Sequence, residues 1–317
     1  MASSRISVLA LSGGVGGAKL ALGLRNVLPA GELAIVANTG DDFDHLGLFV
    51  SPDIDTLLYT LGGLSDTSKG WGRADETWSF MEAVRQAGGE DWFLLGDRDL
   101  ATHVLRTQML AGGRTLSETT AHFADRFGAG ATILPMTDDR VATRVLTPVG
   151  WLAFQHYFVR ERCVPAVSRI EFDGAERASL NPDVSKLLAT RLDAIVICPS
   201  NPFLSVDPIL AVPGMREAIR SNGAPVIAVS PIIAGQAVKG PTAKLFAELG
   251  LTASAANVAR HYAGLIDGFV LDEQDAGTEL PHAMAGRTAQ TLMQSLEDRE
   301  NLARVVLDFA GSIGRRR

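Results

Sequence analysis

Residues 6–40 read ISVLALSGGVGGAKLALGLRNVLPAGELAIVANTG and contain one complete strand–helix–strand pattern. The apolar run Ile6–Leu11 ends at glycines and predicts a buried strand. Ala18–Leu28 has apolar residues at helical spacing and stops at Pro29, and Leu33–Ala37 is a second short apolar run. A strand, a helix and a strand in this order predict parallel pairing through a right-handed crossover.

The same alternation returns in the C-terminal half of the chain. Apolar runs at 193–198, 225–229 and 268–271 predict strands, and the spacing at 214–221 and 243–249 predicts helices. Strands that alternate with helices predict an α/β fold with a Rossmann-like, doubly wound and mostly parallel sheet. In such sheets ligands bind beyond the carboxyl ends of the strands, so the polar loops that follow the strands are candidate site loops.

The middle of the chain departs from this alternation. Helical apolar spacing at 77–87, 100–111 and 117–127 predicts a mainly helical insertion at about residues 73–143, and the pattern of 145–172 predicts a small β extension. The chain has no Pro-, Gly- or Ser-rich linker that would separate two domains. We therefore interpret residues 1–317 as a single α/β domain that carries both additions.

Composition excludes several classes of protein. The 317 residues are 46% hydrophobic and 21% charged, which is typical of a globular protein. The net charge of −7 argues against a general nucleic-acid binder, and no apolar run approaches the ~20 residues of a membrane span. Cys163 and Cys198 are far apart and lie in apolar runs, so we expect two thiols and a cytoplasmic location.

A glycine-rich loop joins the first strand to the first helix. It contains Gly13, Gly14, Gly16 and Gly17, and Lys19 follows one turn into the helix. The backbone of such a loop can approach a ligand closely, and the helix N-terminus favours phosphate. The loop matches neither a Walker loop, because Leu20 follows the lysine, nor the dinucleotide spacing, because Lys19 takes the last glycine place. It predicts a phosphate cradle, and the alternative is a turn needed only for tight strand–helix packing.

Acidic residues follow the second strand. Asp41 and Asp42 close the stretch Asn38–Asp42, and Ser51–Thr56 contributes Asp53 and Asp55. Mg²⁺ prefers oxygen ligands and takes the rest of its shell from phosphates and water, so Asp41, Asp42 and Asp55 are the predicted Mg²⁺ ligands. Asp53 has the alternative interpretation of a helix N-cap. The whole set has the alternative of solvated loop acids.

Residues 96–103 form a third polar motif, GDRDLATH. Arg98 between two acids could hold a phosphate with two parallel bonds, or it could belong to an ion-paired helix cap. His103 could be a packed helical histidine or a proton carrier. Asp138 and Asp139 follow a proline and are typical of a turn, with a role at the acceptor pocket as the alternative.

Seven motifs in this order resemble the 2-phospho-L-lactate transferase family (CofD, called FbiA in actinobacteria). They are residues 13–19, 38–42, 51–56, 70–72, 96–103, 199–202 and 230–233, and the resemblance extends from residue 6 to about residue 275. The resemblance implies a Rossmann-like transferase of coenzyme F-420 biosynthesis. It implies a guanosine diphosphate-linked three-carbon acid as donor, 7,8-didemethyl-8-hydroxy-5-deazariboflavin as acceptor, GMP as leaving group, Mg²⁺ as cofactor and a homodimer.

The resemblance also assigns residues to roles. The acceptor contact falls on Asp55, which orients or deprotonates the attacking hydroxyl. A second acceptor contact, often basic in archaeal members, falls on Leu94, so an ionic contact is lost there. Arg98 would stabilise charge on the transferred group. The predicted donor-binding residues are Gly13, Gly14, Gly16, Gly17, Lys19, Asn38, Thr39, Ser200, Asn201 and Pro202.

Two other functions compete with the transferase. A family typified by the regulatory protein YvcK, which binds a nucleotide sugar, shares the glycine loop and the acidic strand end. The stretches Phe43–His45 and Ser51–Thr56 favour the transferase. A nicotinamide oxidoreductase is disfavoured by the glycine spacing. The acid remains open between 2-phospholactate, phosphoenolpyruvate and 3-phosphoglycerate.

Overall fold

The computed structural model describes residues 5–67, 69–237, 240–282 and 284–315. Its strands are β1 (Val8–Ser12), β2 (Leu33–Ala37), β3 (Phe43–His45), β4 (Leu48–Val50), β5 (Thr132–Pro135), β6 (Ala142–Thr147), β7 (Gly150–Ala153), β8 (Arg169–Asp173), β9 (Ala194–Ile197), β10 (Val226–Val229), β11 (Ile232–Ile233), β12 (Gln236–Ala237), β13 (Gly268–Asp272) and β14 (Ala285–Ala289). Its α-helices are α1 (Gly14–Val27), α2 (Pro52–Leu61), α3 (Ser79–Gln86), α4 (Asp97–Ala111), α5 (Leu116–Arg126), α6 (Pro182–Leu188), α7 (Asp207–Ala211), α8 (Met215–Asn222), α9 (Thr242–Glu248), α10 (Ala255–His261) and α11 (Leu296–Ile313).

A seven-stranded sheet in the order β5-β2-β1-β9-β10-β13-β14 runs through the fold, and every neighbouring pair in it is parallel. This confirms the predicted Rossmann-like α/β class. The chain runs outward in one direction from β1 through β2 to β5, and in the other direction from β9 onward. The order therefore reverses between β1 and β9, which is the place where open sheets of this kind bind ligands.

Both faces of the sheet are covered, which is why its central strands read as continuous apolar runs. In β1, Leu9 and Leu11 pack into the core on one face, and Val8 and Ala10 pack into the core on the other. Helices α1, α2 and α11 contribute to the second core. Gly23 brings α1 so close to α11 that a Cβ at this position would collide with the carbonyl group of Arg299.

The predicted helical insertion at about residues 73–143 contains a strand of the central sheet. Helices α3, α4 and α5 lie where helical spacing predicted them, but Thr132–Pro135 is strand β5 of the central sheet and pairs with β2. Strand β5 follows three helices and ends in Pro135, and a proline argues against a strand unless that strand lies at a sheet edge, as β5 does. The mainly helical part of the insertion therefore ends near Arg126.

The predicted β extension is present as an antiparallel sheet in the order β7-β6-β8. Both cysteines are free, but only Cys198 is buried, whereas Cys163 is half-buried. Among the described residues, no helix combines the length and the apolar character needed to cross a membrane.

Candidate active site

Two loops interlock where the strand order reverses. The Ser200 hydroxyl, in the loop after β9, donates a 2.7 Å hydrogen bond to the Gly13 carbonyl oxygen. Gly13 is the N-cap of α1 and has no side-chain cap of its own. A Cβ at Gly16 would collide with the carbonyl oxygen of Pro199, so glycine is required there by the close approach of the second loop. The structure thus brings together the two loops that were predicted to bind the phosphates and the guanosine side of the donor.

Asn201 and Asn38 fix the conformation of these loops. The Asn201 side chain accepts hydrogen bonds from the amides of Phe203 and Leu204 and so caps the π-helical turn Pro202–Val206. Asn38, at the end of β2, donates to the Leu204 carbonyl oxygen at 3.2 Å. The ends of β1, β2 and β9 are therefore joined through polar side chains.

Asp53 lies at the centre of this arrangement. Its carboxylate accepts hydrogen bonds from the Gly14 amide at 2.6 Å and from the Asn38 side chain at 2.9 Å. The interpretation of Asp53 as a helix N-cap is wrong, because Ser51 occupies that position and Asp53 reaches across to the glycine loop. Burial raises the pKa of Asp53 to about 6, although both hydrogen bonds favour its charged form.

Asp41 and Asp42 are buried beside Asp53. Burial, followed by the charge of Asp53, raises the pKa of Asp41 well above its ordinary value, and burial does the same for Asp42. The Ser51 hydroxyl donates to one oxygen of Asp42 at 2.7 Å. The other Asp42 oxygen, Oδ2, and Asp41 Oδ1 are buried without a hydrogen-bond partner. Two buried carboxylate oxygens that lack a donor are a fitting environment for a cation.

Asp55 belongs to an ion-paired group next to Asp42. Arg106 of α4 donates to both carboxylate oxygens of Asp55, and both side chains are almost wholly buried. Within the described residues, the ligand atoms of Asp55, Asp99 and His103 form the one acid–imidazole group whose atoms lie within 4.8 Å of each other. The predicted trio of metal ligands is therefore not assembled, because Asp55 pairs with Arg106 and only Asp41 and Asp42 keep unpartnered oxygens.

Asp99 and His103 extend this group away from Asp55. His103 Nδ1 lies 3.7 Å from an Asp55 oxygen, and its Nε2 lies 3.3 Å from Asp99 Oδ2. The Tyr59 hydroxyl donates to Asp99 at 2.6 Å. Burial alone would raise the pKa of Asp99, but the neighbouring His103 and Tyr59 hold it below its ordinary value. His103 is thus a packed histidine between two carboxylates.

Three residues that were predicted to contact the donor or the acceptor lie outside these two groups of acidic residues. Arg98 has a half-exposed side chain, and its guanidinium lies 3.7 Å from the exposed Asp75. Lys19 Nζ donates to the Met293 carbonyl oxygen at 2.8 Å, in the segment before α11. Leu94 is 42% exposed and so lies at the protein surface.

Similarity to known proteins indicates the family of the chain. The family model described as 2-phospho-L-lactate transferase CofD matches residues 8–308. The chain belongs to this family. It is 42% identical to a phosphoenolpyruvate transferase of Streptomyces coelicolor over 316 residues, which cover 96% of this chain and 98% of the relative. It is 40% identical to a 2-phospho-L-lactate transferase of Methanosarcina acetivorans, with 96% and 100% of the two chains covered.

Membership in the CofD family makes the chain a transferase of that type and favours this function over the regulatory alternative. Among solved structures, protein BH3568 of Bacillus halodurans, a member of the UPF0052 family, has a TM-score of 0.64 at 14% identity. The likeness covers 96% of this chain and all of that one. It shows the shared fold.

Sequence reasoning missed two residues of this CofD-family site, Asp53 as a loop anchor and Arg106 as the partner of Asp55. The signal for Arg106 was present. Asp99, His103 and Arg106 are spaced i, i+4 and i+7, which places all three on one face of a helix. Arg98 lies roughly 100° around the helix from the centre of that face, so this spacing groups Arg106, and not Arg98, with Asp99 and His103.

Proposed function

We propose that this chain transfers a phospho-three-carbon-acid group from a guanosine diphosphate-linked donor to 7,8-didemethyl-8-hydroxy-5-deazariboflavin in coenzyme F-420 biosynthesis, and that GMP is released. The observation that carries the proposal is the family match over residues 8–308. The joined loops at the strand reversal and the acids beside them agree with it. The acid is 2-phospholactate, phosphoenolpyruvate or 3-phosphoglycerate, since relatives named for the first two are similar to this chain to nearly the same degree.

The donor would lie across the ends of β1 and β9. The glycine loop, together with Asn38 and Thr39, would hold the donor phosphates near the N-terminus of α1, where unpaired amides favour anions. The loop of Ser200, Asn201 and Pro202 would contact the guanosine side. Gly14 already donates its amide to Asp53, so the donor phosphate would use amides further into the first turn or replace that carboxylate.

Mg²⁺ would be held by Asp41 and Asp42. The support for this assignment is that each has a buried oxygen without a partner, and that burial raises the pKa of both carboxylates, which a bound cation would offset. When bound, the ion would neutralise charge on the diphosphate. Lys19 and Arg98 remain predicted contacts of the donor phosphates and of the transferred group.

In the reaction, the terminal ribityl hydroxyl of the acceptor attacks the phosphorus that carries the acid. A new P–O bond forms, the bridging P–O bond breaks and its electron pair leaves with GMP. The proton of the attacking hydroxyl passes to the departing GMP phosphate or to solvent. Phosphoryl transfer depends mostly on positioning and charge neutralisation. Asp55 would accept a hydrogen bond from the attacking hydroxyl and orient it. Since both Asp55 oxygens accept from Arg106, orientation fits this carboxylate better than proton abstraction.

A coupled assay by mass spectrometry tests the proposal. Purified protein receives the deazariboflavin and Mg²⁺ together with one of the three guanylylated acids in separate reactions. The mass of one product identifies both the activity and the acid. If no reaction gives a product and the acceptor does not bind, the transferase function is refuted. The homodimer and the cytoplasmic location stay predictions, and size-exclusion chromatography with light scattering tests the first.

A further inference from the structure

Arg106 is the largest side chain that the described part of the fold buries completely, at 1% exposure. An arginine in such a place is uncommon unless it is paired. Its partner is Asp55, to which it donates from both terminal nitrogens. A buried ion pair of this kind gains little net stability, because removing both charges from water costs about as much as their attraction returns. Stability alone therefore does not account for this pair.

The surroundings of Arg106 fix the orientation of its guanidinium group. His103 Nδ1 lies 3.3 Å from the same Arg106 nitrogen that bonds Asp55 Oδ2. The ring of Phe123 lies 5.9 Å from the guanidinium carbon. Burial would lower the pKa of Arg106, but the charge and hydrogen bonds of Asp55 raise it, so Arg106 stays charged. The guanidinium can thus impose one orientation on the carboxylate it binds.

Asp55 needs such a constraint because of its neighbours. It lies on the first turn of α2, close enough to Asp42 for the two charges to repel each other. Without a counter-charge, the Asp55 carboxylate would rotate away from Asp42. The two parallel bonds from Arg106 prevent that rotation, which a lysine at the same place could not do because it is a single point charge.

We propose that Arg106 is a positioning residue that holds the Asp55 carboxylate in the orientation that directs the attacking hydroxyl of the acceptor, and that His103 in turn holds Arg106. The proposal rests on the proposed transferase function. It assigns to residues of α4, which lie outside the glycine loop and the acidic strand ends, a role in binding the acceptor. Neither residue contacts the substrate, since both act through Asp55.

The test compares Arg106→Lys, Asp55→Asn and the double variant, with Arg85→Lys as a matched control. Arg85 of α3 forms an exposed ion pair with Asp91. Replacing Arg85 by lysine should therefore leave turnover unchanged. We expect Arg106→Lys to lower kcat on the order of 10²-fold, because Asp55 would no longer hold the attacking hydroxyl in place. The KM for the donor should stay unchanged. In the double variant, Arg106→Lys should cause no further loss beyond Asp55→Asn.

Either of two outcomes would overturn the positioning role: wild-type turnover in Arg106→Lys, or effects of the two exchanges that multiply in the double variant. If Arg106→Lys does not fold, as judged by circular dichroism, His103→Gln takes its place in the same cycle with the same criteria.

Acceptor binding, followed by the intrinsic fluorescence of the deazaflavin, separates this proposal from the function. A wild-type protein that binds the acceptor but forms no product refutes the transferase function. The positioning role then depends on whether Arg106→Lys and Asp55→Asn weaken acceptor binding equally. Unequal weakening, or no wild-type binding at all, overturns it.

Discussion

The pKa of Asp53 predicts an unusual pH dependence of stability in the metal-free protein. Asp53 is buried, and its pKa is raised to about 6 from the ordinary value of 3.8. Between these two values the folded protein keeps a proton that the unfolded chain has lost. The contribution of Asp53 to the free energy of unfolding is therefore highest below about pH 4, falls as the pH rises to about 6, and stays low above it.

The magnitude follows from the size of the shift. A shift of roughly two pH units corresponds to about 3 kcal/mol. Asp41 and Asp42 also have raised pKa values, so they act in the same direction. Other carboxylates of the protein act in the opposite direction in acid. The difference between the wild type and Asp53→Asn reports the contribution of Asp53 together with the part of the Asp41 shift that the Asp53 charge causes, since the variant has neither the titrating proton nor the charge.

The assay is urea unfolding in EDTA, followed by circular dichroism at intervals from pH 4 to pH 7. The free energy of unfolding of the wild type minus that of Asp53→Asn should fall by about 3 kcal/mol across this range. Asp193→Asn serves as the control, because Asp193 is an exposed partner of Arg5 and solvent screens its charge. A difference that is constant, or that rises with pH, would refute the account of Asp53 as a buried, desolvated acid.

Four further outcomes are expected. Mg²⁺ should stabilise the wild type at pH 7.5 by about 2.7 kcal/mol at one hundred times its Kd, and the Asp41→Asn variant should lose this effect in a thermal shift assay. Asp55→Ala should abolish product formation in the mass assay while its circular dichroism stays unchanged, and near-normal turnover would reject its role. Gly16→Ala should weaken GDP binding in calorimetry, because the added Cβ collides with the loop that contains Pro199. A Cβ added at Gly311 meets no atom within 4 Å, so Gly311→Ala should instead raise the free energy of unfolding by roughly 0.5–1 kcal/mol. Leu94→Lys should lower the KM for the acceptor and leave that for the donor unchanged, since it adds a cation only at the predicted acceptor side.

The sheet could be predicted because its central strands are buried on both faces and are bounded by loop residues. Two strands of the central sheet, β5 and β14, were missed, each for a different reason. Strand β5 directly follows a series of helices and contains a proline, whereas the residues of β14 from Ala285 to Thr288 are exposed, so that strand has no apolar pattern to detect. Its place beside β13 is determined by pairing along the whole strand, which only the assembled fold provides.

The site was predictable as far as strand ends determine it. Parallel strands bring the glycine loop, the acids after β2 and the loop after β9 to one edge, and these are indeed adjacent. The pairing of Asp55 with Arg106 could not be deduced, because it depends on how α4 packs against α2, across residues far apart in sequence. The N-cap interpretation of Asp53 was wrong for a related reason. Its position after Pro52 fits the start of a helix, and the sequence does not show that the Gly14 amide lies next to it in the fold.

The close contact between α1 and α11 has a consequence for synthesis of the protein. The glycine loop is carried by the first helix, and that helix is covered by the last one, with Lys19 bonded to Met293 and Gly23 against Arg299. At bacterial translation speeds, tens of seconds separate the emergence of the two helices from the ribosome. During that time the part of α1 that packs against α11 has no cover, although α2 already contacts the same helix. The nascent chain therefore cannot complete the packing behind its glycine loop until translation is nearly complete, and a ribosome stalled before residue 296 would expose this surface to chaperones.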